Sequence, residues 1–187
     1  MNKKVFIITT VLLILAIIVV GVYLLMKKNN KPQTNEIQPQ EEISDEQMRQ
    51  TIVTLYYQNK ETKELMPEGR MVDVKTLLTD PYATLINLLM DTPKSDNLQS
   101  VIPQGTKVLN VELKEDVIYL NLSKEFIDNH KGGLEEEKAT VYSLVNTLTE
   151  LNEVNGVKIL INGEENKCFK DEKMNFKEQF VRNGELR

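Results

Sequence analysis

Two side chains in this sequence could form a nucleophile and its base: the single cysteine, Cys168, and the single histidine, His130. A thiol activated by an imidazole is a common catalytic arrangement, and Ser123 or Ser143 with His130 and an aspartate would supply the residue types of a triad. His130, however, lies in the polar run Asp-Asn-His-Lys-Gly-Gly, and Cys168 lies in a charged segment near the C-terminus. No known catalytic motif surrounds either residue. We therefore predict no catalytic residue.

The acidic residues and glycines predict neither a metal site nor a cofactor site. Glu135–Glu137 could bind a metal, but acidic residues are also typical of the first turn of a helix, where the helix dipole favours them. Glu115–Asp116 falls between two apolar segments and is typical of a turn. Gly132–Gly133 is too short for a phosphate-binding loop. The sequence thus predicts a non-enzymatic protein with no cofactor.

Five segments show the β-branched and aromatic composition of strands. They lie at 51–57, 70–74, 107–113, 117–122 and 157–161. The third and fourth are separated by three residues, which predicts a hairpin.

Two helices are predicted between these strands. The first begins at Asp80–Pro81, a typical N-terminal cap, and ends before Pro93. The second begins at Glu135–Glu137 and ends before Gly156. Each helix carries one apolar stripe that a sheet must cover: Tyr82, Leu85, Ile86 and Leu89 in the first, and Val141, Leu144, Val145, Leu148 and Leu151 in the second. The order β-β-α-β-β-α-β therefore predicts an α+β two-layer sandwich, with both helices on one face of a single mixed, mostly antiparallel sheet of about five strands.

The most apolar stretch is Val5–Met26, which has 22 residues and no charge. As a helix it would be about 33 Å long, enough to cross a hydrocarbon core of about 30 Å. We therefore predict an N-terminal transmembrane helix within residues 1–26, in a single-pass protein whose N-terminus is cytoplasmic. Two alternatives remain. A cleaved signal peptide usually has a shorter apolar region, and a buried core helix seldom lacks a polar face.

The rest of the sequence divides into a linker and one domain. Residues 27–50 are polar and predict a flexible linker, and residues 51–187 predict one extracytoplasmic domain. Residues 1–28 hold four of the 23 basic residues and none of the 28 acidic ones, so the remaining chain has a net charge of −9. This balance argues against nucleic acid as a partner.

Seven short strings in the predicted domain match the pattern of a known family. They are VTLYY (53–57), LMPEGR (65–70), LINLLM (85–90), VIPQGT (101–106), VIYLNLSKEF (117–126), LVNTLT (144–149) and VKILING (157–163). In this order they resemble the GerMN domain family of sporulation and spore germination proteins, over about residues 51–182. One departure is Asp91-Thr92-Pro93, where the family tends to have a glycine before the proline.

The resemblance implies a membrane-tethered extracytoplasmic module of a spore-forming Gram-positive bacterium, similar to ring-building domains that stack through helix and sheet faces. It implies no activity, because a fold does not determine a function. The family's motif positions fall here on Tyr56, Arg70, Pro103 and Thr147. We expect these residues to serve core packing, a charge at a strand end, a turn and a helix hydroxyl, respectively.

These observations predict a membrane-anchored structural or interaction module of the cell envelope, acting in sporulation or germination by assembly with other envelope proteins or with itself. A second hypothesis is a module that binds cell-wall glycan, such as peptidoglycan, or a small ligand near the membrane. Tyr56, Tyr57 and Tyr119 would then supply stacking faces. An enzyme acting on the cell wall is the third hypothesis, and His130 is the residue that would test it.

Overall fold

The computed structural model describes residues 16–27 and 49–184. In chain order the elements are α1 (residues 16–27), β1 (Gln50–Asn59), β2 (Leu65–Asp73), α2 (Val74–Thr79), α3 (Pro81–Met90), β3 (Leu98–Gln99), β4 (Val108–Lys114), β5 (Val117–Leu122), α4 (Glu125–Asp128), α5 (Leu134–Leu148), β6 (Gly156–Ile161) and β7 (Phe180–Val181). The five predicted strands and the two predicted helices are all present, and the fold is α+β. The short elements β3, β7, α2 and α4 were not predicted.

The first sheet has three strands in the order β2-β1-β3. β1 and β2 are antiparallel and pair along their whole length, with Tyr56 opposite Pro67, whereas β3 pairs with β1 only at Gln58 and Asn59. Strand β2 is longer than the predicted segment 70–74 because it begins at Leu65. It lies at the edge of the sheet, where a proline is tolerated because its missing N–H faces outward.

The second sheet has four strands in the order β4-β5-β6-β7. β4 and β5 form the predicted hairpin, and Glu115 in its turn has a φ of 56°. β5 and β6 are parallel, from Val117 opposite Gly156 to Leu122 opposite Ile161. Parallel neighbours require a long crossover connection, and α4 and α5 supply it.

Helix α5 packs against strands of both sheets: β1 in the first, and β6 and β7 in the second. Its hydroxyl groups complete the hydrogen bonding of β1 at Tyr56, where no strand pairs with that edge. The Ser143 hydroxyl donates to the Tyr56 carbonyl (2.6 Å), and the Tyr56 N–H donates to Thr147 Oγ1 (3.0 Å). The predicted single sheet of about five strands is therefore wrong. The helix occupies this part of the edge of β1, and the later strands form a second sheet.

The apolar stripes of the two long helices are buried in one core with the inner faces of both sheets. The core includes Leu85, Ile86 and Leu89 of α3, Val141, Leu144, Val145 and Leu148 of α5, Val53, Leu55 and Tyr57 of β1, and Ile118, Leu120 and Ile159 of the second sheet. Asp80 caps α3 as predicted, since its Oδ1 accepts the Ala83 N–H at 3.1 Å and Pro81 follows it. The segment after β6 adds Phe169 and Phe176, whose rings lie 5.6 and 6.1 Å from that of Phe126.

A buried ion pair joins β2 to the segment that follows α3. Glu68 and Arg70 are only 7% and 8% exposed, and Arg70 Nε donates to Glu68 Oε1 at 2.9 Å. Glu68 also accepts the backbone N–H groups of Lys94 (3.0 Å) and Ser95 (2.8 Å). Arg70 Nη2 donates to the Thr92 carbonyl at 2.7 Å. Burial by itself raises the pKa of Glu68, but these hydrogen bonds outweigh it and lower the pKa from 4.5 to about 2.

The predicted transmembrane helix needs correction. Its first part lies outside the described residues, and the described part is α1, which has 12 residues. Among the helices of residues 16–27 and 49–184, none combines the length and the apolar character needed to span a membrane. Most of the predicted linker, residues 27–50, also lies outside the described part, and the predicted domain boundaries stay predictions.

Candidate functional site

His130 follows α4, and both of its ring nitrogens are engaged. Nδ1 accepts the Gly132 N–H at 3.0 Å, so Nε2 carries the proton and donates to Thr140 Oγ1, also at 3.0 Å. Thr140 in turn donates to the Val101 carbonyl at 3.1 Å. The ring of Phe169 lies 4.5 Å from the imidazole, and burial lowers the pKa of His130. The arrangement requires a neutral histidine that connects three segments.

The two serines of the hypothetical catalytic sets are hydrogen-bonded to the backbone. Ser123 Oγ accepts the Lys107 N–H at 3.0 Å, and Ser143 Oγ donates to Tyr56 as described above. Cys168 is a half-buried free cysteine. Its neighbour in the chain contacts His130, but the imidazole has no nitrogen left for the thiol. The structure therefore does not assemble a nucleophile and base from these residues.

The three glutamates at the start of α5 have different surroundings. Glu135 is exposed and accepts a hydrogen bond from Lys138 at 2.9 Å. Glu136 accepts a long hydrogen bond, 3.4 Å, from Gln58 Nε2. Glu137 is fully buried, its Oε2 accepts the Met174 N–H at 3.2 Å, and its Oε1 has no hydrogen-bond partner among the described residues. In the described part of the chain, no group of three or more His, Cys, Asp or Glu side chains could hold a metal ion.

We expect replacement of Glu137 by glutamine to stabilise the protein by about 1 kcal/mol at pH 8, because the substitution removes a buried charge. Burial raises the pKa of Glu137 above 4.5. The charged form is thus disfavoured in the folded state, and stability is lost as the pH rises through the folded-state pKa. Glutamine can still accept the Met174 N–H but carries no charge. In urea unfolding the gain should therefore disappear below pH 4.5. Glu135→Gln, at an exposed position, is the control, and a Glu137→Gln variant as stable as that control at every pH would contradict the prediction.

The tyrosines proposed as stacking faces are mostly covered. Tyr57 is buried and donates from its hydroxyl to the Leu88 carbonyl at 2.7 Å. Tyr56 is buried under Arg182, whose guanidinium lies 5.4 Å from the ring centre. Tyr119 is half-buried, and Lys114 Nζ lies 4.7 Å above its ring. These rings contribute to packing.

A cleft of about 610 Å³ lies between the ends of β1 and β3, the loop 100–105, the loop 129–131 and the first two turns of α5. Its polar wall is formed by Gln58, Gln99 and Glu136. Gln99 Nε2 donates to Gln58 Oε1 at 2.9 Å, and Gln58 Nε2 donates to Lys63 O and Glu136 Oε2. Sequence analysis did not identify this cleft, because the contributing residues are ordinary polar types on four separate segments.

One face of the first sheet, which we call the outer face, exposes apolar side chains. It consists of Ile52, Thr54, Gly69 and Met71. Ile52 and Met71 are directly opposite each other on β1 and β2 and are 71% and 59% exposed. Thr54 and Gly69 form the next pair on this face. Exposed apolar side chains that are adjacent often mark a surface for protein contacts. The neighbouring residues in the chain, Val53 and Val72, point into the core.

The sequence profile of a family described as sporulation and spore germination, named Germane, matches residues 54–167. This range covers 114 of the 187 residues, more than half of the chain. The chain belongs to the Germane family. The resemblance to GerMN domains is thereby confirmed. The matched range includes Tyr56, Arg70, Pro103 and Thr147, all of which are buried. Tyr56, Arg70 and Thr147 form the hydrogen bonds described above. The Pro103 carbonyl accepts the Thr106 N–H at 3.2 Å, as expected for a turn.

Solved GerMN structures have a similar fold. The tandem GerMN domains of the sporulation protein GerM from Bacillus subtilis are 20% identical, with a TM-score of 0.61; the alignment covers 73% of this chain and 47% of that one. The first GerMN domain of the same protein is 21% identical, with a TM-score of 0.59 and coverages of 71% and 98%. A putative lipoprotein from Clostridium perfringens is 22% identical, with a TM-score of 0.49 and coverages of 72% and 89%. This chain therefore spans about half of the tandem structure. No curated protein matches it.

Proposed function

We propose that this protein acts in sporulation or spore germination as a structural and interaction module, through contacts with other proteins or with copies of itself. The outer face carries the proposal. It places two exposed apolar side chains, Ile52 and Met71, side by side on a sheet. Burying such side chains against a partner is favourable by about 25 cal/mol per Å² of apolar surface.

The strand at the rim of the outer face supports the same proposal. β2 is the edge strand of its sheet, and an edge strand offers backbone groups for pairing with another chain. Met71 lies on this strand and Ile52 on its neighbour. A partner could therefore contact the apolar side chains and the strand edge together.

The side chains considered as catalytic candidates have other roles. His130, Ser123 and Ser143 are engaged in the hydrogen bonds described above. A role in assembly needs none of them to be free. We also propose that the partners are proteins of the cell envelope, outside the cytoplasm; this location rests on the amino-acid sequence.

We expect a Met71→Glu substitution in the full chain to weaken association at least tenfold, because a charge would be placed at the centre of the buried contact. The association would be measured by sedimentation velocity for copies of the chain, and by crosslinking in sporulating cells for other proteins, with a photoreactive residue at position 52. Loss of the crosslinked species together with impaired spore formation or germination would support the proposal.

Leu109→Glu provides a matched control. Leu109 is a half-exposed apolar residue on β4 of the other sheet, so the same change in charge and size occurs away from the outer face. Its association should equal that of the unchanged protein. A chain that is monomeric at all concentrations and gives no crosslink from position 52 in cells would overturn the proposal.

A further inference from the structure

We propose that the cleft bounded by Gln58, Gln99, loop 100–105 and Glu136 binds an uncharged ligand rich in hydroxyl and amide groups, of the N-acetylated sugar class. This is a ligand site separate from the outer face, and it goes beyond the assembly function proposed above. The cleft has a volume of about 610 Å³. Sites for small molecules commonly have volumes of about 300–1,000 Å³ and a few fixed polar groups.

The polar wall holds its side chains in defined positions. Gln58 is only 1% exposed, and its carboxamide is held on one side by Gln99 Nε2 (2.9 Å) and on the other by the Lys63 carbonyl (3.1 Å). Its remaining contact, to Glu136 Oε2, is long at 3.4 Å. A ligand hydroxyl that donates to Glu136 could replace this weak hydrogen bond at little cost. A carboxamide and a carboxylate in one row offer both donors and acceptors, as a polyhydroxylated ligand requires.

The charges around the cleft favour an uncharged ligand over an anion. Glu136 places a carboxylate in the wall. His130 also lines the cleft but is neutral, because its Nδ1 accepts the Gly132 N–H and burial lowers its pKa. Lys131 is the one lysine or arginine among the lining residues that the structure describes, and it is exposed. A phosphate or carboxylate ligand would be repelled by Glu136, and the exposed Lys131 would offset little of that repulsion.

Loop 100–105 supplies a less polar part of the lining. Val101, Ile102 and Pro103 contribute apolar groups, and several backbone carbonyls of this loop are already used, since Val101 O accepts from Thr140 and Gln104 O accepts from Asn129 Nδ2 (2.8 Å). Apolar groups together with a row of carboxamide and carboxylate groups in one cleft match a sugar ring. Such a ring has one edge of hydroxyl groups, a face of C–H groups and, when N-acetylated, a methyl group.

The test is binding of tri-N-acetylchitotriose to the full chain, followed by amide chemical shifts in NMR and by calorimetry. We expect saturable binding, with shifts at Gln58, Gln99, loop 100–105 and Glu136. Inorganic phosphate should cause no shifts there. Gln99→Ala and Glu136→Ala should each weaken binding at least tenfold, whereas Glu112→Ala, an exposed carboxylate on β4, should not change it.

Three results would overturn the proposal. The first is the absence of saturable sugar binding up to the solubility limit of the sugar. The second is a set of chemical-shift changes confined to another surface. The third is binding of phosphate or of N-acetyl-trialanine amide in the cleft by a chain that does not bind the sugar. The NMR titration of the unchanged chain needs no variant, so the test does not depend on how well Glu136→Ala folds. Sedimentation of the Met71→Glu chain tests the assembly function separately, and neither result decides the other.

Discussion

Replacement of Glu68 by alanine is expected to lower the free energy of unfolding by about 3–5 kcal/mol, the cost of removing one member of a buried ion pair. The Arg70 guanidinium would remain buried without its carboxylate, and the N–H groups of Lys94 and Ser95 would lose their acceptor. The expected loss is a large part of the stability of a single domain, which is typically about 5–15 kcal/mol.

Urea unfolding followed by circular dichroism would measure this loss. Glu112→Ala is the matched control, because Glu112 pairs with Lys114 at 3.2 Å but both side chains are more than half exposed. Exposed pairs contribute about 0–1 kcal/mol. The double variant Glu68→Ala/Arg70→Ala should lose less than the sum of the two single variants, since no unpaired charge remains buried. A Glu68→Ala variant as stable as Glu112→Ala would show that the network contributes little to the fold.

The same carboxylate should make stability depend on pH. Glu68 has a folded-state pKa of about 2 against an ordinary value of 4.5. A lowered pKa contributes stability that is present above the ordinary value and is lost as the pH falls through the folded-state value. The difference corresponds to about 3 kcal/mol. The unchanged chain should therefore lose stability between pH 4.5 and about 2, and the Glu68→Gln variant should lose less over that interval.

The elements of this fold could be predicted because their signals are local. Asp80–Pro81 starts α3, the apolar stripe of α5 is buried, and the β4–β5 hairpin turns at Glu115. β3 and β7 could not be predicted, since each has only two residues and shows no periodicity. The strand predicted at 70–74 begins five residues earlier in the structure, at Leu65, and the sequence does not show that β2 is an edge strand, where Pro67 is tolerated.

The number of sheets could not be predicted from the same signals. Both helices have one apolar stripe, and a single sheet would have covered them. The deciding interactions join Tyr56 to residues that are 87 and 91 positions away in the chain, Ser143 and Thr147. A serine and a threonine in a helix are usually neutral for the fold, so their role becomes visible only when β1 lies beside them.

The cleft and the outer face could not be predicted from the sequence for a related reason. Gln58, Gln99 and Glu136 come from three segments and carry no motif. Ile52 belongs to a strand whose composition suggests burial, and its exposure depends on which face of that strand the helices cover. The hydrogen bonds of His130 to Gly132 and Thr140 were not foreseeable from its polar neighbours.

Replacing both helix hydroxyls, in Ser143→Ala/Thr147→Val, is expected to lower the free energy of unfolding by about 2–6 kcal/mol. Each substitution removes the hydrogen bond between a helix hydroxyl and a buried backbone group of Tyr56, at a cost of about 1–3 kcal/mol. Valine has nearly the shape of threonine, so the loss at position 147 is a loss of hydrogen bonding rather than of packing. The free energy of unfolding would again be measured in urea.

Thr149→Val is the matched control for this experiment. Thr149 Oγ1 donates to the Val145 carbonyl at 2.8 Å, so its hydroxyl bonds within its own helical segment. Its replacement should change the free energy of unfolding by less than about 0.5 kcal/mol. If the double variant lost no more free energy of unfolding than Thr149→Val, the hydroxyls of α5 would not stabilise the edge of β1. The division into two sheets would then need another explanation. A large loss would instead identify Ser143 and Thr147 as the residues that substitute for a neighbouring strand.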